Sequence, residues 1–289
     1  MKDRKFVIKD TACIKKECFI GSPETIRAVC SKKISNINTS SKGKNLSTIQ
    51  FKYWLAGLID GDGCLLVSKK GYSSCEITVA RKELILLSSV KMYCGGSIKM
   101  RIKYNAYRWR LHNKKGVNML LDFIDGKLML AQRQSQYKYV CASLGRTPLP
   151  SKPICRRNAW ITGFYEAEGY FHVNRTTLQC NITLSQKDRT LLLSIQHVMG
   201  GRIYYDKSWD GWLYSASSLA DISNWVKYFS LFPLRSWKQI QLQRFKRVLL
   251  YKSRGIHLRG PAAGRSWKRF QQLLNEFHSE TKLYEIHML

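Results

Sequence analysis

The sequence predicts an α+β protein built from two copies of one unit: a helix, two strands, a helix, two strands and one or two closing helices. Three observations predict it. An apolar, acid-tipped string, Leu55-Ala56-Gly57-Leu58-Ile59-Asp60-Gly61-Asp62-Gly63, returns in altered form as Ile161-Thr162-Gly163-Phe164-Tyr165-Glu166-Ala167-Glu168-Gly169. Downstream landmarks return at an almost constant distance. Trp54 falls on Trp160 and Asp62 on Glu168 at an offset of 106, then Ile77–Lys82 on Ile182–Lys187, Gly95-Gly96 on Gly200-Gly201 and Trp109 on Tyr214 at 105. A single one-residue slip over that length marks an internal duplication. Between the landmarks, hydrophobic spacing switches between the helical and strand periods.

Each element follows from local pattern. Phe51, Trp54, Leu55, Leu58 and Ile59 fall at i, i+3, i+4, i+7 and i+8, one apolar helix face. Gly63 and Gly169 read as the stops of the two helices. Two β-runs follow, Cys64–Lys69 and Cys75–Ala80, around a Gly-Tyr-Ser turn. A helix is predicted from about Lys82 to Tyr93, broken by Gly95-Gly96, then a hairpin, Ser97–Lys103 and Tyr107–His112, turned at Asn105. Gly116–Ile124 and Ala131–Ser143 read as helices. The divisions are a basic N-terminal arm and linker over 1–49, repeat 1 over 50–143, a proline-bearing linker over 144–158, repeat 2 over 159–252, and an extension over 253–289 with a helix across Ser266–Lys282. Ile34–Thr48, rich in Ser, Asn and Lys, reads as linker.

Composition narrows the partners. Lys plus Arg is 49 against 19 for Asp plus Glu, a formal charge of +30. That excess points to a polyanion, and nucleic acid leads, because each neutralised phosphate releases counterions. At 44% hydrophobic residues a sizeable core is available. No run of 18 apolar residues predicts a membrane span. Met1–Lys16 lacks the apolar core of a signal peptide, and its Asp3 and Asp10 make it a poor transit peptide. The nine cysteines show no C-x-x-C pair and no zinc spacing. Cys64, Cys75, Cys141 and Cys180 sit in apolar runs and read as small buried residues in a reducing compartment. His112-Asn113 lacks a second histidine and carries no nuclease reading.

Chemistry concentrates at the repeated helix ends. Gly57 and Gly61, like Gly163 and Ala167, are four apart and share a face, so two helix backbones can approach closely there. Asp62 and Glu168 each stand one residue before the terminating glycine. Brought together across a pseudo-twofold axis, they call for a cation, and oxygen ligands with retained water point to Mg²⁺. Asp60 and Glu166 sit two residues earlier and read as structural or hydrogen-bonding groups.

These two motifs resemble those of the LAGLIDADG homing endonucleases, in the single-chain, two-repeat form. The resemblance runs over roughly Phe51 to Lys252. The first motif departs from the family string only at Gly61, where the string has Ala; the second is degenerate but retains its final acid. The resemblance implies two pseudo-symmetric αββαββα repeats, with antiparallel DNA-binding sheets joined through paired motif helices. It implies a monomer, with metal bound by Asp62 and Glu168 and helped by the carbonyls of Gly61 and Ala167; Mg²⁺ is the expected ion and Mn²⁺ its substitute. It implies that Arg81, Gln186, Arg133 and Lys238 lie near the scissile groups. Arg81 departs from the more usual Gln and Arg133 from the more usual Lys. For Arg133 and Lys238 a plain phosphate contact stands as the equal alternative.

The strands carry the candidate recognition residues. These are Lys69, Lys70, Glu76, Lys99, Arg101, Lys103, Arg108 and Arg110 in the first copy. In the second they are His172, Asn174, Arg175, Gln179, Asn181, Arg202, Tyr204, Lys207 and Trp212. Alternation with apolar neighbours lets one sheet face bury while the other presents donors to a major groove. The function so implied is metal-dependent cleavage of both strands of a long asymmetric DNA site across the minor groove, leaving short 3′ overhangs, by an intron-encoded protein of a mitochondrion or chloroplast; a bacterial cytoplasm is the other setting. An RNA maturase acting on intron RNA, or a regulator of the same fold without cleavage, are the competing readings.

Overall fold

The computed structural model describes residues 41–285, with side chains described over 48–279. The expectations for the basic arm over 1–40, with Cys13, Cys18 and Cys30 and the weak transit-peptide match, lie outside the described residues. Helix α1 (Ser41–Asp62) opens the fold. The stretch expected to be linker is therefore helical from Ser41. It holds no proline and one glycine, so nothing blocks propagation backwards from the packed turns.

Repeat 1 continues through β1 (Gly63–Val67), β2 (Ser73–Ala80), α2 (Leu84–Cys94), β3 (Ser97–Arg101), β4 (Ala106–Leu111), α3 (Lys114–Ile124) and α4 (Ala131–Ser143). Repeat 2 runs α5 (Trp160–Glu168), β5 (Gly169–Val173), β6 (Cys180–Gln186), α6 (Arg189–Met199), β7 (Arg202–Asp206), β8 (Gly211–Ala216), α7 (Leu219–Leu231) and α8 (Lys238–Ser253). A short α9 (Ile256–Arg259) and a long α10 (Arg265–Glu285) follow. Each repeat makes one antiparallel four-stranded sheet, ordered β1-β2-β4-β3 and β5-β6-β8-β7. The extra helix α10 packs antiparallel along α8, through Tyr251 on Phe270 at 5.3 Å and Arg244 facing Glu276 at 3.9 Å.

Helices α1 and α5 form the seam. Between Trp54 and Asp60 every residue of α1 is buried, Ala56, Gly57 and Asp60 included. The helix is not one-faced, because one side packs on its own sheet and the other on α5. A Cβ at Gly57 would stand 2.1 Å from the Trp160 carbonyl oxygen, and one at Gly163 would stand 1.8 Å from that of Trp54. The approach is backbone to backbone, which only glycine permits. The stops at Gly63 and Gly169 work differently from the expected left-handed cap. Gly169 has φ −96° and ψ 149°, extended backbone. Glycine is needed there for room: a Cβ at Gly63 would meet Ile59 Cα at 2.6 Å, and one at Gly169 the Tyr165 ring at 2.3 Å.

The copies are not superimposable strand for strand. Gly63 faces Ile77, and Ile77 faces Trp109. In the second sheet, Gly169 and Tyr214 face Leu184, not Ile182. Strand β6 is thus displaced by two residues relative to the alignment, a shift that keeps each side chain on its original face. Of the cysteines expected to be buried, Cys75, Cys141 and Cys180 are. Cys64 is half-buried, on the sheet face opposite Cys75. Among the described residues all cysteines are free thiols.

Gly57→Ala or Gly163→Ala forces the seam apart by a backbone clash that no rotamer relieves. Each is expected to cost about 2–3 kcal/mol, measured by denaturant unfolding.

Candidate metal and nucleic-acid site

The seam ends where α1 and α5 hand over to the first strand of each sheet. Gly61 lies directly against Ala167: a Cβ on Gly61 would sit 2.2 Å from the Ala167 Cβ and 3.4 Å from Glu168 Cγ. Only one of the two positions can carry a methyl, which explains the glycine in the first motif. Asp62 and Glu168 are therefore neighbours at the bottom of the seam, both half-buried. Burial pushes the Asp62 carboxyl up to about 8, and the charges of Glu83 and Glu168 push the same way. Burial likewise raises Glu168, opposed by Lys238 and Arg133. Two carboxylates that resist ionising together, at the negative ends of two helices, fit a divalent cation. Among the described residues no group of three His, Cys, Asp or Glu forms a cage.

Asp60 and Glu166 hold structure. Asp60 accepts from the amides of Met129 at 2.8 Å and Leu130 at 3.2 Å, capping α4. It also accepts from the Trp160 indole at 2.8 Å across the seam. Glu166 accepts from the amides of Arg235 and Ser236 and from the Ser236 hydroxyl, just before α8. Each motif's first acid thus ties down the closing helix of its own repeat. Burial raises both acids above the usual carboxylate range, Asp60 to about 7.

Those closing helices deliver two cations to the seam. Arg133 donates to the carbonyls of Ile59 at 3.1 Å and Gly61 at 3.2 Å. Lys238 donates to those of Tyr165 at 3.3 Å and Glu166 at 2.5 Å. Both cap the last turns of the motif helices, where a positive charge is favourable. Lys238 is 4% exposed, so neither a free phosphate contact nor a solvent-facing base describes it. Arg81 and Gln186 are not equivalents. Arg81 lies beyond β2, exposed, its amide bonded to the Asn105 carbonyl. Gln186, displaced with β6, ends that strand opposite Trp212 and accepts from the Lys187 amide.

The sheet faces sort the recognition candidates. Glu76, Lys99, Arg101, Arg108 and Arg110 share the face of sheet 1 opposite Ile77 and Trp109. Glu76 bridges Arg108 at 2.8 Å and Arg110 at 3.0 Å, holding two guanidinium groups side by side. Lys69 and Lys70 stand in the exposed β1–β2 turn and Lys103 in the turn after β3, not on strands as the alternation suggested. In sheet 2, His172, Asn181, Arg202 and Tyr204 share the outer face. Asn181 Oδ1 there is buried without a hydrogen-bond partner. Arg175, Gln179 and Lys207 are exposed turn residues. Asn174 spends its Oδ1 on the amides of Thr176 and Thr177. Trp212 lies on the opposite face, packed on Tyr205 and beneath Arg189, because it stands two residues along β8 from the buried Tyr214. Thr78 and Tyr170, on the outer faces, were passed over; the alternation that marked Glu76 and His172 contains them. Glu83, 5% exposed, was passed over as well, and nothing in its local pattern marks it.

The raised Asp62 carboxyl sets a pH dependence. The folded state holds this proton more tightly than the unfolded state, so its contribution is full below about 4 and is lost as pH rises towards about 8. In EDTA, stability should fall across that window, Asp62 alone contributing a slope of up to about 1.4 kcal/mol per pH unit and the raised Asp60, Glu166 and Glu168 adding in the same sense. Asp62→Asn should reduce the slope by that share, read from melting curves at stepped pH.

Comparison with known proteins agrees with this geometry. The family model for the LAGLIDADG endonucleases matches residues 55–144 and 161–249. The chain is 31% identical over 259 residues to the probable intron-encoded endonuclease aI2 of Debaryomyces hansenii, covering 81% of this chain and 39% of that protein. It is 36% identical over 171 residues to the intron-encoded RNA maturase bI4 of Saccharomyces cerevisiae, covering 57% of this chain and 27% of that protein. It thus spans well under half the length of either relative. The crystal structure of the I-LtrWI LAGLIDADG homing endonuclease bound to target DNA superposes with a TM-score of 0.64 at 16% identity, over 80% of this chain and 98% of that one. The paired, glycine-packed motif helices and the double match of the family model place this chain in the LAGLIDADG endonuclease family.

Proposed function

We propose that the chain is a monomeric, site-specific endonuclease that cuts both strands of a long asymmetric DNA duplex. The observation that carries this reading is the juxtaposition of Asp62 and Glu168 at a seam flanked by two sheets with cationic and polar outer faces. Asp62 and Glu168, with the carbonyls of Gly61 and Ala167, would hold divalent metal, Mg²⁺ or Mn²⁺ in its place. That metal supplies water activation and stabilises charge on the leaving oxygen. The chain's own part is positional. Gly57 and Gly163 set the separation of the two acids. Arg133 and Lys238 hold the helix ends that carry them. Arg81, exposed just beyond β2, is assigned to a flanking phosphate, and Gln186, half-buried at the end of β6, to the neighbourhood of the scissile group. Arg108 and Arg110, aligned by Glu76, and Lys99 and Arg101 beside them fit the guanine edges of a major groove; Asn181 fits adenine. The turn residues Lys69, Lys70, Lys103, Arg175, Gln179 and Lys207 fit the phosphate backbone. The names of the relatives support an intron-encoded origin and hence an organelle setting.

The first test is cleavage of a duplex spanning the intron-free junction of the host gene, with Mg²⁺ or EDTA. Metal-dependent double-strand cutting is expected, abolished by Asp62→Asn or Glu168→Gln, with duplex binding held within about tenfold. Cutting at the unsubstituted level in either variant refutes the metal assignment. The maturase likeness gives the second reading its footing: no cutting, with tight binding of intron RNA, would establish that one. Lys69→Ala, in the exposed β1–β2 turn, should lower the slope of log affinity against log salt by about 0.9 with little change in site preference, whereas Arg110→Ala should relax preference at one base pair.

A further inference from the structure

Four charged residues are buried among the described residues, and three are accounted for. Asp60 and Glu166 cap α4 and α8, and Lys238 caps α5. The fourth is Glu83, at the end of the 3-10 turn Arg81–Glu83 that follows β2. Its carboxylate lies 3.7 Å from the Lys238 ammonium, with both side chains over nine-tenths buried. After burial itself, Glu83 is the largest influence raising the neighbouring Asp62 carboxyl. Glu83 thus stands between the terminal acid of repeat 1 and the cation of repeat 2, and the ion pair crosses the seam.

The duplication shows this to be a departure. The counterpart of Glu83 is Asp188, and the two precede α2 and α6 at identical places. Asp188 caps its own helix, accepting from Thr190 N at 2.9 Å and Leu191 N at 3.4 Å. Glu83 makes no such cap on α2. One more methylene and the preceding 3-10 turn carry its carboxylate to the seam instead. The cations differ correspondingly. Arg133, the counterpart of Lys238, forms no ion pair among the described residues and reaches Gln136 Oε1 at 3.4 Å. It is also more open to solvent than Lys238. The two ends of the seam therefore carry different cations in different bonding: one held between repeats by a buried acid, the other held within its own repeat.

We propose that Glu83 is a positioning residue: it fixes the Lys238 ammonium against the end of α5 and so governs cleavage of one DNA strand and not the other. This rests on the endonuclease reading above. A buried lysine with its counter-charge is locked in place. Without the counter-charge, the ammonium is drawn towards Glu168 and Asp62, loosening the helix end that presents Glu168.

The test is strand-resolved cleavage, on a duplex labelled separately on each strand, by the unsubstituted chain and by Glu83→Gln, Glu83→Asp, Lys238→Gln and Glu83→Gln/Lys238→Gln. Glu83→Gln is expected to slow one strand at least tenfold and the other less than twofold, so that nicked duplex accumulates. The slowed strand is the one that Lys238→Gln slows, and the double variant is no slower than Lys238→Gln alone. Glu83→Asp, which retains the charge, recovers part of the loss. Equal slowing of both strands with a lowered melting temperature would make Glu83 a mere buttress and overturn the proposal, as would additivity with Lys238→Gln or no effect at all. An unsubstituted chain that cuts neither strand overturns the endonuclease reading itself, a result distinct from any of these.

Discussion

The close contact of α1 with α5 is the constraint on which the rest depends. Backbone meets backbone at Gly57 and Gly163, and a methyl group at either would lie well inside contact distance of a carbonyl oxygen. Because the approach continues to Gly61 and Ala167, the residues immediately after them cannot diverge, and Asp62 and Glu168 are forced together. The same helices run straight into β1 and β5, so the geometry that couples the acids also sets the two sheets about one axis. The spacing of the two acids and the placement of the two sheets are thus consequences of one packing contact.

Around that contact each repeat closes a circuit. In repeat 1 the first acid, Asp60, binds the amides that open α4. Arg133 on the first turn of α4 reaches back to the carbonyls that end α1. In repeat 2, Glu166, α8, Lys238 and the end of α5 make the same loop. Helix dipoles reinforce each step: a carboxylate at an N-terminus, a cation at a C-terminus. The first acid of each motif therefore holds the second acid in place through a helix and a cation. Removing it would leave buried amides without acceptors as well as freeing that cation.

Much of this was legible in the residues. The duplication, the order of elements along each repeat, the small-residue face and the terminal acids all follow from spacing that one chain displays twice. Helix α4 begins and ends where its pattern says, at Ala131 and Ser143. What was not legible depends on contacts between distant segments. The two-residue displacement of β6 leaves every side chain on its predicted face, so alternation cannot detect it, yet it separates Gln186 from Arg81. Gly169 reads as a helix cap in any local window; only the Tyr165 ring beside it shows that space is the reason. Glu83 looks like a surface charge until it is seen at the seam beside Lys238.

The symmetry of the chain is strict only where the seam demands it. Away from the seam the halves differ: β6 has its own register, α10 flanks repeat 2 alone, and the two outer faces carry different chemistry. Sheet 1 presents a cluster of arginine and lysine organised by Glu76. Sheet 2 presents His172, Asn181, Arg202 and Tyr204. A dimer of identical chains would repeat every substitution in both halves and could read only a palindrome. Joining the repeats by the segment over 144–158 frees each sheet to change alone, since a substitution at Arg110 leaves the contact at Gly57 untouched. The same freedom reaches inward as far as Glu83, where one repeat retains the helix cap and the other spends its acid on the opposite cation. Divergence stops at the glycines, because there a change in one repeat is a collision with the other.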